Sequence, residues 1–235
     1  MKDAVDAQLR DQQAGFCKDR SCTDQIATLW IIVEQSVEWN SSPYINFIDY
    51  ENAFDNVDRT LWKLLQHYEV LEKIVNINRN SYDGLQCKVV YRGQLTDAFH
   101  VRTGVRHGCL LSPFLFLFMV DWIMKTSTSE GKHGIQWTAQ NQLHDLDFAD
   151  DLMTASVAAV SASVGLKIHK KKTKVLKFKT QNSNPFTLDG ETLDDVESFT
   201  YLGSIIDKQG GSDADVKARI GKARDAFLQL KNICN

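Results

Sequence analysis

Apolar positions recur at helical spacing from Thr23 to Glu38, where Ile26, Leu29, Trp30, Ile32, Val33 and Val37 make one stripe. Ser21 or Thr23 is available as its cap and Asp24 suits the first turn. After the turn-rich Asn40-Ser41-Ser42-Pro43 the period changes. Tyr44-Ile45-Asn46-Phe47-Ile48 has the β-branched and aromatic content of a buried strand, with Asp49 at its C-terminal end. Leu61, Leu64, Leu65 and Tyr68 then predict a helix that Asp55 or Asn56 caps.

Further along, Gln86 to Val90 and Ala98 to Val101 read as short strands around a turn at Arg92-Gly93-Gln94. A basic, glycine-hinged loop runs from Arg102 to Pro113, and Ser112-Pro113 is a strong helix start. The helix from Phe114 to Lys125 is apolar nearly all round, which places it in a core. Leu143 to Ser156 reads as strand, tight turn near Ala149 to Asp151, and strand; Val157 to Val164 is small and weakly patterned. A strand-like run from Phe199 to Ile206 precedes Gly210-Gly211 and a capping-box-like Ser212 with Asp215. Val216, Ile220, Ala223, Phe227 and Leu230 make one apolar stripe on the last helix.

The chain has 235 residues, 43% of them hydrophobic and 24% charged, enough for one large domain or two small ones. A formal net charge of -3 gives no global attraction to nucleic acid, so any such binding needs a local basic surface. Five cysteines make neither an even disulfide set nor a paired zinc pattern, which fits free thiols in an intracellular compartment. The start carries no apolar signal core, and the longest hydrophobic run, Phe114 to Val120, is far below the ~20 residues of a membrane span, so no membrane association is expected.

Candidate chemistry centres on Phe148-Ala149-Asp150-Asp151, because adjacent carboxylates repel and a divalent cation offsets the charge. With Asp49 they form a possible three-carboxylate set of the kind that holds Mg²⁺ against substrate phosphates. The competing reading is an acidic, solvated hairpin. Phe54 is either a ring beside an incoming nucleotide's sugar or a core aromatic. Gly104 to Pro113 is either a template and nucleotide cradle or a helix-capping turn. Seven lysines between Lys167 and Lys179 can neutralise phosphates, with one placed as general acid, or form a solvated face or localisation signal.

Taken in order, these segments resemble the blocks of reverse transcriptases of non-LTR (LINE-like) retrotransposons. Gln13 to Ile26 resembles the block between fingers and palm, and Phe47 to Asp55 the first catalytic motif. Gly104 to Pro113 is similar to the template and nucleotide motif, Phe148 to Asp151 to the second catalytic motif, Gly165 to Thr173 to the lysine motif, and Phe199 to Gly203 to the primer grip. The resemblance implies an α+β right-hand polymerase fold: a fingers-to-palm remnant over 1–40, a palm with an antiparallel sheet packed on helices over 41–198, and a primer-grip-like strand with the first thumb helix over 199–235.

By the same resemblance Asp49, Asp150 and Asp151 bind two Mg²⁺ ions (or Mn²⁺), and Lys172 is the proton donor. Phe54 is the steric gate favouring dNTPs, with Arg106, His107 and Gly108 in the nucleotide cradle. Phe199, Tyr201, Leu202 and Gly203 form the primer grip. The implied partners are an RNA template, a DNA primer and dNTPs, and the implied site of action is the nucleus.

The departures are Cys17 for Arg, His107 for Gln, His169 for Asn, and a stretch after Asp151 that is short by roughly one helix. The fingers blocks, most of the thumb and the endonuclease region of a parent polyprotein are expected to lie outside this chain, which reads as a truncated copy. Two functions follow: RNA-directed DNA polymerisation, or a catalytically silent remnant that binds nucleic acid or a protein.

Overall fold

The computed structural model describes residues 8–10, 13–17, 19–40, 44–128, 135–136, 142–143, 147–148, 151–152, 157–178, 185, 187–188 and 191–233, with backbone alone at 44, 128, 135–136, 142–143, 147–148, 151–152 and 231–233. Ser21 is extended and its Oγ accepts the Asp24 amide at 3.2 Å, so helix α1 (Cys22–Glu38) begins as its cap predicts. Strand β1 (Tyr44–Phe47) follows.

The next helical stretch differs from expectation. Asp55 and Asn56 lie inside a one-turn helix α2 (Ala53–Asn56), and α3 (Leu61–His67) starts separately after Thr60, whose amide donates to Asp58 Oδ1 at 2.8 Å. Helix α4 (Glu72–Tyr82) was not foreseen, because it buries only Val75 and Tyr82 and the rest of its surface is exposed or half-exposed.

Four two-residue strands β2 (Gln86–Cys87), β3 (Val90–Tyr91), β4 (Gln94–Leu95) and β5 (Phe99–His100) form a ribbon closed at Arg92-Gly93, where φ is 51° and 78°. Positive φ at both centres is the geometry a tight hairpin turn demands. Helix α5 (Ser112–Thr128) is the core helix expected, with Leu115 to Val120 all buried. Ser112 Oγ is buried without a hydrogen-bond partner, so this hydroxyl does not serve as the cap.

Hairpins β6 (Ile135–Gln136) with β7 (Gln142–Leu143) and β8 (Asp147–Phe148) with β9 (Asp151–Leu152) come next, then a six-residue helix α6 (Ala158–Ser163). Strand β10 (Lys174–Lys177), hairpin β11 (Thr187–Leu188) with β12 (Glu191–Thr192), β13 (Asp194–Asp195), hairpin β14 (Ser198–Tyr201) with β15 (Ser204–Asp207) and helix α7 (Asp213–Ile233) complete the order.

Strand β10 is the centre of the main sheet: β1 pairs with it antiparallel, Asn46 opposite Val175, and β13 pairs parallel on its other side. The backbone of β9 runs beside β1. Alternation divides the sheet's two faces. Ile45, Phe47, Leu176 and Phe178 join Leu29 and Val33 of α1 and Tyr201 in one core. Ile48 and Tyr50, continuing past β1, join a larger core built on α3 and α5 around Leu61, Phe116 and Met119. At full burial each such side chain contributes about 1.5–3 kcal/mol.

One buried charge ties this core to the N-terminal segment. The Asp121 carboxylate, fully buried on α5, accepts from the Arg10 amide at 3.0 Å and Nε at 3.1 Å and from the Tyr68 hydroxyl at 2.5 Å, and pairs with Lys125 Nζ at 2.8 Å. Burial, reinforced by that carboxylate, pushes the Tyr68 phenol far above its ordinary range.

At the other end Asp215 does not reach back to Ser212 as a capping box would. Its Oδ1 accepts the Ile205 amide at 2.9 Å and its Oδ2 accepts from Arg219 Nε at 2.7 Å, bolting α7 to β15. Burial opposes the charged form of Asp215, but Arg219, the Ile205 amide and Ser204 outweigh it and hold the carboxyl below the usual carboxylate range. Beyond this joint residues 222–230 are exposed on every face. Among the described residues no helix is long and apolar enough to cross a membrane, and Cys22, Cys87 and Cys109 are free thiols.

Candidate active site

Asp49 leaves β1 with its main chain held on both sides. Its amide donates to Thr173 Oγ1 at 3.3 Å, and its carbonyl accepts the His169 amide at 2.7 Å. Tyr50 bridges Ile168 antiparallel, and the Glu51 amide donates to the Lys167 carbonyl at 2.8 Å. Residues 167–173 are therefore zipped onto 49–51. Within that segment the Lys172 and Thr173 amides turn back onto the His169 carbonyl at 3.0 and 2.9 Å. The turn delivers Lys172 Nζ to 3.2 Å from Asp49 Oδ2, with the Asp49 side chain 20% exposed.

Of the carboxylate pair, Asp151 enters through its backbone. Strands β8 and β9 form an antiparallel hairpin with Phe148 opposite Asp151, and β9 runs beside β1. Ala149, Asp150 and Lys179 lie outside the described residues. Among the described residues no three His, Cys, Asp or Glu side chains gather to hold a metal. The described donor that fits a hard cation is Asp49, a carboxylate at the end of a strand, partly open to solvent.

The aromatic and glycine elements meet on the next turn of chain. Phe54, in α2, stacks on Phe116 with centroids 4.9 Å apart and meets the His107 ring at 5.3 Å. His107 Nε2 lies 3.1 Å from Asp55 Oδ1. The loop is laced to α2: the Gly104 amide donates to the Val57 carbonyl at 2.8 Å and the Val105 amide to the Phe54 carbonyl at 2.7 Å. Gly104 sits at φ +86°, and a Cβ there would meet the Asp55 carbonyl oxygen at 2.9 Å. Only glycine fits so close an approach.

Arg106 is committed to the protein. Its Nη2 donates to the Ser81 carbonyl at 2.5 Å and its guanidinium lies 5.2 Å from the Tyr82 ring centroid, as does that of Arg59. Gly108 is open, with nothing within 4 Å of an added Cβ. Next to it, a hydrogen bond from the Leu111 amide draws the Cys109 thiol below its ordinary range against the effect of burial, with the Ser112 amide and Arg106 assisting.

The lysine run is not one free cationic face. Lys170 pairs with Glu191 at 2.9 Å, Lys172 with Asp49, and Lys174 with Asp194 at 2.5 Å. In the Phe199 to Gly203 segment the strand-like run is a hairpin: Phe199 stacks on Phe47 at 4.0 Å, and buried Tyr201 donates to Gln25 Oε1 at 3.3 Å. Leu202 and Gly203, at φ 48° and 85°, form the turn.

Tyr82 went unread in the sequence, while Asp55 was read as a helix cap and the end of the first catalytic motif and Thr173 as the end of the lysine motif, without the contacts they make here. Thr173 is next to the candidate lysine and had a local signal; Asp55 and Tyr82 act through tertiary contacts with residues 52 and 24 positions away, respectively.

Comparison with known proteins bears on the family and the fold. Residues 1–206 match the family of the reverse transcriptase (RNA-dependent DNA polymerase). A Pol polyprotein of the type-2 retrotransposable element R2DM from Drosophila melanogaster is 28% identical over 120 residues, covering 51% of this chain and 11% of the relative. A Pol polyprotein of the type-1 retrotransposable element R2 from Popillia japonica is 24% identical over 186 residues, 69% of this chain and 30% of the relative. The chain thus spans a third or less of the curated relatives it matches.

Among solved structures, the apo telomerase of Candida tropicalis truncated from its C-terminal domain superposes with a TM-score of 0.60 at 14% identity, covering 88% of this chain and 42% of that one. Candida albicans telomerase in complex with a fragment of telomeric RNA gives a TM-score of 0.54 at 14% identity over 89% of this chain and 38% of that one. At such identities the likeness shows the fold, a polymerase palm. The family match, the two retrotransposon relatives and that fold agree, and the chain belongs to the reverse transcriptase family as a reverse transcriptase domain of the non-LTR retrotransposon kind.

Proposed function

We propose that this domain carries out RNA-templated addition of dNTPs to a DNA primer, with Asp49, Asp150 and Asp151 as its metal-binding carboxylates. The observation that carries the reading is the Asp49 and Lys172 pair, 3.2 Å apart on two segments zipped together, in a palm of the reverse transcriptase family. Mg²⁺ or Mn²⁺ held by those carboxylates supplies Lewis-acid charge for the primer hydroxyl and the departing pyrophosphate.

The chain's own residues divide the remaining work. Lys172 carries an ammonium that can pass a proton to the leaving pyrophosphate, and its tether to His169 keeps it at the reacting end of β1. Phe54, fixed between Phe116 and His107, presents a ring that excludes a 2′ hydroxyl and so selects dNTPs over ribonucleotides. His107 and Gly108 line the nucleotide cradle, and Arg106 braces it through Tyr82 and Ser81. The Leu202-Gly203 turn is the part of the primer-grip hairpin open to a primer backbone, while Phe199 and Tyr201 anchor it. An RNA template and a DNA primer are the partners this reading requires.

A silent nucleic-acid-binding remnant, acting through the lysine run, draws less support, because Lys170, Lys172 and Lys174 are ion-paired within the domain. Primer extension on an RNA template with Mg²⁺ or Mn²⁺ tests the proposal. Incorporation that vanishes in Asp49→Asn and Asp150→Asn supports it. No incorporation by the folded protein, with salt-sensitive RNA binding retained, replaces it with the binding reading.

A further inference from the structure

On the face of the main sheet opposite α1 lies an open cavity of about 1130 Å³, walled by α6, floored by the sheet and bordered by hairpin β11–β12. Among the described residues, α6, a single six-residue helix of small residues, forms the helical wall of this cavity. Ala158, Ala159 and Ala162 present only methyl groups toward it, and Ile48, Leu166 and Ile168 make its interior apolar.

Two buried polar atoms border this cavity and have no hydrogen-bond partner. Asn46 is 3% exposed, and its carboxamide oxygen is unpartnered; the Nδ1 of His169 is likewise buried and unpartnered. A buried acceptor left unsatisfied costs about 1–3 kcal/mol, so a donor that reached it would be held firmly. Register explains the placement: Asn46 stands opposite Val175 and takes the face turned away from the Phe47 core.

The mouth is net basic. Lys167, Lys170 and Lys171 face Glu51 and Glu191 among the described lining residues, and Glu191 is already paired with Lys170. Lys167 and Lys171 are exposed at the rim.

We infer that this cavity is a binding site for an amphipathic organic anion: an apolar, multi-ring or branched body against the α6 alanines, an N–H or O–H donor to Asn46, and an acidic group at the Lys167 and Lys171 rim. The volume exceeds the roughly 300–1,000 Å³ of most small-molecule sites, so a ligand of several rings fits with solvent at the mouth. The site is separate from the nucleotide cradle. It abuts the back of the catalytic segment, since His169 donates its amide to the Asp49 carbonyl and also lines the cavity.

Anilinonaphthalene sulfonate is the probe, because it combines fused rings, an N–H donor and a sulfonate. Titrated into the whole domain, it should bind saturably at one site, with an affinity that falls as salt rises. Ala162→Trp and Ala159→Trp, both at exposed positions of α6, fill the cavity without touching the core and should each weaken binding about tenfold, the equivalent of 1.4 kcal/mol. Lys167→Glu with Lys171→Glu should weaken it and flatten the salt dependence. Circular dichroism of each variant shows that it is folded. Phe227→Ser, on the exposed α7, should leave binding unchanged. No saturable binding, equal binding by both tryptophan variants, or loss in Phe227→Ser overturns the inference.

Discussion

Gly104→Ala isolates the joint between the nucleotide loop and α2. The backbone at Gly104 is at φ +86°, outside what an alanine adopts comfortably, and its new methyl would lie 2.9 Å from the Asp55 carbonyl oxygen and 3.0 Å from the Asp55 Cα. The left-handed conformation costs an L-residue about 1–2 kcal/mol, and forcing a methyl against backbone costs about 1–3 kcal/mol more. Neither obstacle is the end of a flexible side chain, so relief requires the loop to move off α2. That movement breaks the hydrogen bonds from Gly104 to Val57 and from Val105 to Phe54. A destabilisation of about 2–5 kcal/mol is expected in urea unfolding.

The same loop supplies its own control. Gly108 also has positive φ, +73°, but nothing lies within 4 Å of an added Cβ, so Gly108→Ala should cost only the conformational share, about 1–2 kcal/mol. Equal losses for the two variants, or a loss below about 0.5 kcal/mol for Gly104→Ala, would refute the argument that close approach at Asp55 fixes this residue.

Asp121→Ala leaves Arg10 and Tyr68 without their buried carboxylate and should destabilise by about 3–5 kcal/mol in the same assay. Arg92→Asn, at φ 51° in the exposed Arg92-Gly93 turn, should stabilise by about 1 kcal/mol, because asparagine adopts the left-handed conformation more readily; thermal unfolding reads it. Asp215 titrates below the ordinary carboxylate range, so its contribution is complete above the unfolded-state value and is lost as pH falls through the depressed one. Asp215→Asn should therefore lower stability at neutral pH and remove part of the acid-side decline, a difference that fades as the pH drops below both values.

Where a pattern was local, the sequence sufficed. The stripe on α1 and its Ser21 cap, the β-branched strand leading to Asp49, and the all-apolar α5 each depend on neighbours a few residues away. Helix α4 was illegible because Val75 and Tyr82 are too few to set a period. The turn at Leu202 places a non-glycine residue at positive φ and so hid a whole hairpin, whereas the Gly93 beside Arg92 made the other turn legible. For the candidate site, the order of motifs pointed to Asp49 and Lys172, but not to the ion pair between them. The partners of Lys170 and Lys174 are Glu191 and Asp194, brought across by β12 and β13; no charge count along the chain reveals that.

The zipper between residues 49–51 and 167–173 has a consequence for how such a domain can vary in length. Because Asp49 is gripped at both its amide and its carbonyl, one residue gained or lost between Ile168 and Thr173 would shift either the His169 or the Thr173 contact by a full position. Lys172 would then leave the carboxylate it now faces. Lineages of this domain should therefore hold the count from Ile168 to Thr173 constant.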